Sequence, residues 1–204
     1  MHDELDIIRE VGSIAASHGS IALSEILGKT IRLAIPSVDM VSCAGVSGKI
    51  DVEKMGIAVI CRITTGIKGE AVFLLDEKNA FKLINVSTKI AEEDKRSSVM
   101  TEMGMSTIKE IGNIVISSYL NAIGMILKRV VLSLPPTLIS GTMDEIIHII
   151  LASSGANDCA LLVEAMFEEA DEKMKGGFYL VLSQEAASDI RQACMRMLEE
   201  LEKS

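Results

Sequence analysis

Ile8-Arg9-Glu10-Val11-Gly12-Ser13-Ile14 and Ile108-Lys109-Glu110-Ile111-Gly112-Asn113-Ile114 are near copies of each other, one hundred residues apart. Carried outward, the register holds for residues 8–36 laid over 108–136. Nine positions are identical: Ile8/Ile108, Glu10/Glu110, Gly12/Gly112, Ile14/Ile114, Ser17/Ser117, Ala22/Ala122, Ile26/Ile126, Leu27/Leu127 and Pro36/Pro136. Unrelated segments of this length share roughly two. Arg9/Lys109, Val11/Ile111, Leu23/Ile123 and Lys29/Arg129 add conservative pairs. Downstream, Lys68-Gly69-Glu70-Ala71-Val72-Phe73-Leu74-Leu75 resembles Lys175-Gly176-Gly177-Phe178-Tyr179-Leu180-Val181-Leu182, at an offset of 107, so the second half carries seven extra residues. The chain reads as two diverged copies of one unit, about 1–98 and 99–204.

Each copy has the same order of elements. Apolar residues recur at helical spacing at Leu5, Ile8, Val11 and Ala15, and at Met105, Ile108, Ile111 and Val115. This predicts helices over about 3–16 and 104–117, each followed by a second helix, about 19–27 and 118–128, with Gly28 as a stop signal. Strands come next. Thr30 to Ile35 alternates loosely before Pro36, and Gly56–Thr64 with Gly69–Leu75 reads as a hairpin turning near Thr65-Gly66. Cys159–Phe167 with Gly177–Leu182 is its counterpart, and closing helices cover about 77–91 and 184–202. Thr142-Met143-Asp144-Glu145 is a capping-box pattern and predicts a short helix in the extra residues of copy two. The fold class is α+β: an antiparallel sheet with paired helices packed on it. Ala91 to Ser98 is the polar joint between the copies. Neither copy alone has an obvious closed core, so the expectation for 1–204 is one pseudo-two-fold domain with a shared sheet.

Composition narrows the function. Of 204 residues 49% are apolar and 24% charged, enough for a sizeable core and against disorder. Aromatics are 3%, with no Trp, so that core must be aliphatic, with twelve Met. Acids exceed bases by 29 to 20, a formal charge of −9. This argues against nucleic acid, which needs a basic face, and against an anionic membrane surface. The longest apolar runs are broken by Ser, Asn or charge, and the Met1-His2-Asp3-Glu4 start lacks the form of a signal peptide, so the expected location is cytoplasmic. Cys43, Cys61, Cys159 and Cys194 are far apart, without a C-x-x-C pair, and read as buried thiols. Neither they nor His2, His18 and His148 form a spaced metal-ligand set, and no P-loop or dinucleotide motif is present. No metal or cofactor of its own is expected.

The first helix of each copy carries polar residues at i, i+4 and i+7: Asp6, Glu10 and Ser13, then Ser106, Glu110 and Asn113. At about 100° per residue these share one face, opposite the apolar stripe. Gly12 and Gly112 each precede the third position, where a mid-helix glycine costs about 1 kcal/mol relative to alanine. Two readings follow. One is a solvated face with close helix packing at the glycine; the other is a face that a partner approaches.

With Pro136 added, the spacing is Asp-or-Ser, three residues, Glu, two residues, Asn, twenty-two residues, Pro. Copy two matches it completely with Ser106, Glu110, Asn113 and Pro136. Copy one matches at Asp6, Glu10 and Pro36 but has Ser13 in place of Asn. This doubled pattern resembles the signature of the CheC/FliY/CheX family of chemotaxis phosphatases, over almost the whole chain, and most closely its two-copy CheC-like members. The resemblance implies hydrolysis of the aspartyl phosphate of a CheY-type response regulator, whose own receiver domain carries the Mg²⁺. It implies that Asn113 holds a water in line with the phosphorus, since a carboxamide offers donor and acceptor on one rigid group. It implies that Glu110 anchors the regulator through a lysine, with Ser106 and Pro136 structural. The Glu10/Ser13 site is then weak or inactive, because serine's shorter side chain lacks the reach. A second reading is a weakly catalytic adaptor that binds phosphorylated regulator or CheD, a further partner implied by the resemblance.

Overall fold

The computed structural model describes residues 4–42, 45, 51, 53–87, 101–152, 159–170 and 172–202. In chain order the elements are α1 (Glu4–Leu27), β1 (Arg32–Ser42), β2 (Met55–Thr65), β3 (Gly69–Asp76), α2 (Glu77–Ser87), α3 (Glu102–Leu127), β4 (Leu132–Ser133), β5 (Thr137–Thr142), α4 (Met143–Leu151), β6 (Cys159–Glu169), β7 (Glu172–Leu182) and α5 (Gln184–Glu202). This is the α+β arrangement expected.

Among the described residues seven strands form one antiparallel sheet in the order β1-β6-β7-β3-β2, and β2 pairs along its outer side with both β4 and β5. The two hairpins meet at the centre, where Gly69 lies opposite Leu182 and Leu74 opposite Gly177. The outer strands cross over. β1 of copy one pairs with β6 of copy two, and β4 and β5 of copy two pair with β2 of copy one. Each hairpin is thus completed by a strand from the other half of the chain.

Strand alternation assigns the faces. Ile57, Val59, Cys61, Ile63, Ala71, Phe73, Leu75, Phe178 and Leu180 point into the main core with the apolar sides of α1, α2, α3 and α5. Ala58, Val72, Leu74, Leu162 and Val181 point the other way and are covered by Met143, Ile146, Ile147 and Ile150 of α4. The capping box predicted for α4 is present: Thr142 Oγ1 accepts from Glu145 N at 3.2 Å, and Glu145 Oε2 accepts from Thr142 N at 2.9 Å. Cys61 and Cys194 are buried and form no disulfide among the described residues, and burial pushes the Cys61 thiol up. Cys43 and the joint at 91–98 lie outside the described residues.

Two expectations are corrected. The helices expected at 3–16 and 19–27 are one 24-residue helix, and those at 104–117 and 118–128 are one 26-residue helix. No break interrupts α1 between 16 and 19, and its serines are satisfied within it: the hydroxyls of Ser13, Ser17, Ser20 and Ser24 donate to the carbonyls of Arg9, Ser13, Ala16 and Ser20. One unbroken α3 is also long and apolar enough to cross a membrane by length and composition, which the broken runs in the sequence did not suggest. However, 61% of its most apolar window is buried inside the protein, as in a core helix. Second, the strand expected at Thr30–Ile35 continues through Pro36 to Ser42, with a register shift between Ala34 and Ser37. A bulge accommodates a proline that cannot donate to the ladder. In copy two the same position, Pro136, falls in the gap between β4 and β5. The β6–β7 hairpin is longer than expected at its tip, and the first closing helix is described only to Ser87.

Candidate functional site on the outer face of helix α3

The core side of α3 is fixed by Ile108, Ile111, Val115, Ile116, Leu120 and Ile123, all buried. With that side held, Ser106 and Glu110 stand exposed and Asn113 half-buried on the outer side. The helix starts at Thr101, whose hydroxyl accepts from Gly104 N at 3.1 Å. It ends at Lys128, whose N–H and that of Arg129 close onto Met125 O and Gly124 O. Both ends are capped, so the three side chains ride on a rigid rod.

The glycine question is answered by packing. A Cβ at Gly112 would lie 2.7 Å from Val59 Cβ, and one at Gly12 would lie 2.5 Å from the Tyr119 hydroxyl. Both glycines sit on the buried side and let each helix press onto the body. Gly112 thereby brings α3 against β2 one residue before Asn113.

The two copies differ in what their polar residues do. Neither Glu110 nor the Asn113 carboxamide has an ion pair or hydrogen bond among the described residues. Residues three apart on a helix have Cβ atoms about 5–6 Å apart, so the two heads address one spot. In copy one Asp6 pairs with Arg9 at 3.1 Å, and Ser13 Oγ donates to Arg9 O at 3.1 Å. Glu10 is exposed and unpaired among the described residues. Thus the hydroxyl at the divergent position is turned back onto its own helix. Pro136 is half-buried beside β5, and the side chain of Pro36 is not among those described. Among the described residues no group of three or more His, Cys, Asp or Glu side chains is placed to hold a metal ion.

The spacing placed Glu110 and Asn113 on one helix face, and the structure brings them together there. What the spacing did not reveal is Ser13's bond to Arg9 O, because a serine in a helix can point to solvent or back to the i−4 carbonyl. It also did not reveal the buried Tyr119 hydroxyl at the α1–α3 contact, which has no hydrogen-bond partner among the described residues.

The chain is thus an α+β body that carries, on the outer face of α3, a Glu/Asn pair without partners among the described residues. Residues 103–140 match the CheC-like family model. The curated relative "CheY-P phosphatase CheC" of Bacillus subtilis is 27% identical over 129 residues, which is 62% of this chain and 61% of that protein. The match therefore spans less than two thirds of the relative's length. Thermotoga maritima FliY superposes with a TM-score of 0.75 at 22% identity, covering 95% of this chain and 96% of that one. The FliM middle domain of Vibrio alginolyticus superposes with a TM-score of 0.60 at 18% identity, covering 93% and 99%. At these identities the two structures speak for the fold alone. The chain is thus similar to CheC-like proteins over residues 103–140 and to the curated relative over 129 residues, and it shares the fold of FliY.

Proposed function

We propose that the chain is a phosphatase acting on the aspartyl phosphate of a CheY-type response regulator. The observation that carries this is the Glu110/Asn113 pair: accessible, held on a capped helix, and free of partners among the described residues. An acyl phosphate in a receiver domain lies beside a Mg²⁺ held by the receiver itself. The element still missing is a positioned water. The Asn113 carboxamide accepts a hydrogen bond from that water and donates one to a phosphoryl oxygen, which orients the water in line with phosphorus. Glu110 fixes the register by pairing with a cation of the receiver. Water attacks phosphorus, the P–O bond to the receiver's aspartate breaks, and inorganic phosphate leaves. No nucleophile on this chain takes part. The curated relative carries a phosphatase name, which supports the same reading.

The test is the decay of a phosphorylated CheY-type receiver with and without the chain. Asn113→Ala lowers the acceleration by about 10²-fold, the scale of a lost positioning contact. Acceleration at the unaltered rate with that variant rejects the mechanism. An adaptor that holds the regulator, or CheD, is favoured by one observation, the sequestered Ser13 hydroxyl, which leaves one complete pair where the repeat provides room for two. It is distinguished by receiver binding without faster phosphate release.

A further inference from the structure

Asn113 is not the only residue of α3 whose bonding differs from that of its counterpart in α1. Lys109, next to Glu110, has a basic counterpart in Arg9. In α1 the Arg9 guanidinium is paired with the Asp6 carboxylate at 3.1 Å. In α3 the place of Asp6 is held by Ser106, which carries no charge, and Lys109 is exposed with no ion pair or hydrogen bond among the described residues. The copy that has Ser in place of Asn therefore pairs its cation, and the copy that keeps the Asn leaves its cation unpaired among the described residues. Lys109 also stands on the Asn113 side of the helix. At about 100° per residue it lies roughly 40° around the axis from Asn113 and one turn before it. Residues at that spacing have Cβ atoms about 5–6 Å apart. Gly112 turns this flank of α3 toward β2, where Val59 lies beneath it. Burial raises the Cys61 thiol of β2, and a bond with Ser133 and then the charge of Lys109 lower it, so the ammonium stands on the same flank.

We propose that Lys109 is a further catalytic residue, its ammonium contacting an oxygen of the receiver's phosphoryl group beside the water held by Asn113. The inference rests on the phosphatase reading of α3 and adds a charge to it. When Glu110 pairs with a cation of the receiver, it draws positive charge away from the phosphoryl group and brings a carboxylate toward it. In-line attack by water spreads negative charge over the equatorial phosphoryl oxygens, and a cation placed there stabilises it. Lys109 supplies that cation from the position next to Glu110. An ammonium on a flexible four-carbon stem acts as a compact point charge and does not need the fixed fork geometry of a guanidinium. It transfers no proton: water still attacks phosphorus, and the bond that breaks is still the one to the receiver's aspartate. In α1 the Asp6 carboxylate competes for the corresponding charge on Arg9.

Phosphate release from a CheY-type receiver charged with acetyl phosphate and Mg²⁺, followed over a range of receiver concentrations with the full chain, tests this. Lys109→Met keeps the aliphatic stem and removes the charge, and it lowers kcat by about 10²-fold with little change in KM, the scale of one lost group that stabilises transition-state charge. Lys109→Arg keeps the charge and restores most of the rate. Lys109 is exposed, so both variants keep the wild-type melting temperature, and Lys109→Gln repeats the loss without an added apolar group. A methionine variant with the wild-type kcat overturns the proposal. A loss confined to KM makes Lys109 a docking contact and overturns it too, as does an arginine variant as slow as the methionine one. If the unaltered chain does not accelerate release, the phosphatase reading fails and this inference with it. A chain that accelerates release equally with and without the Lys109 charge leaves that reading standing and removes Lys109 alone.

Discussion

Asn113 and Ser13 occupy the same place in two copies of one helix, and their difference is one of hydrogen-bond geometry as well as size. A serine hydroxyl lies close enough to its own backbone to be captured by the i−4 carbonyl, as Ser13 is by Arg9. The longer carboxamide of Asn113 is not captured, and it remains available to a partner. The two tyrosines, Tyr119 buried and Tyr179 half-buried, are the other residue-scale feature with a measurable consequence. Burial pushes the Tyr179 phenol up to about 12, with Glu164 adding to the shift, and burial raises the Tyr119 phenol further. A phenol raised in the folded state contributes stability that is fully present below its unfolded value of about 10 and is lost as pH rises through the folded value. The chain is therefore expected to lose stability from about pH 10 upward. Tyr119→Phe should flatten part of that slope, read from urea midpoints measured across pH. It should cost little at neutral pH, because the hydroxyl it removes has no hydrogen-bond partner among the described residues. An unchanged alkaline slope would show that Tyr119 does not titrate with unfolding.

At the scale of elements, the repeat made most of the architecture legible. Both hairpins, the α4 capping box and α5 follow from alternation, turn residues and cap patterns that act locally. The helix lengths were not legible. The break expected between 16 and 19 is absent: each serine hydroxyl of α1 has a carbonyl within its own helix, and Gly19 packs against Leu33 and Ser118. Tertiary contact here outweighed local propensity. The run of β1 through Pro36 was hidden for a similar reason, since a bulge appears only when the partner strand is known. The candidate site was legible as a face and a spacing, while the bond that turns Ser13 back onto Arg9 O needed atomic positions. The helix ends carry a further prediction. Gly28 ends α1 with φ +62°, and Lys128, its counterpart, ends α3 with φ +52°. A left-handed backbone costs a non-glycine residue about 1–2 kcal/mol. Lys128→Gly relieves that strain and gives some of the gain back to the unfolded chain's entropy. Thermal denaturation should show a melting temperature a few degrees higher. A lower one would mean that the lysine side chain contributes more than the backbone strain costs.

At the scale of the whole molecule, the crossing of β1 onto β6 and of β4 and β5 onto β2 makes each half's sheet depend on the other. Copy one without copy two leaves β1 with no partner strand and exposes the β3 edge, Ala71, Val72 and Phe73, that β7 covers. Copy two alone loses the partner of β4 and β5 and exposes the matching edge of β7. A long apolar strand edge left open leads to aggregation or unfolding rather than a stable half-domain. The two copies are therefore expected to unfold as one cooperative unit. In native-state hydrogen exchange, the amides of β2–β3 and those of β6–β7 should open with the same free energy and the same dependence on denaturant. Two plateaus, one for each hairpin, would show instead that the halves are separately stable. The same topology bears on the proposed site. The main core under α3 is lined by residues of β2 and β3 from copy one, including Val59 directly beneath Gly112, so the half of the chain that carries Glu110 and Asn113 depends on the other half to hold them in place. Denaturant at levels that open either hairpin should accordingly abolish receiver dephosphorylation at the same midpoint. Loss of activity well before exchange of the β2–β3 amides would place the fragility in α3 itself and separate the site from the sheet beneath it.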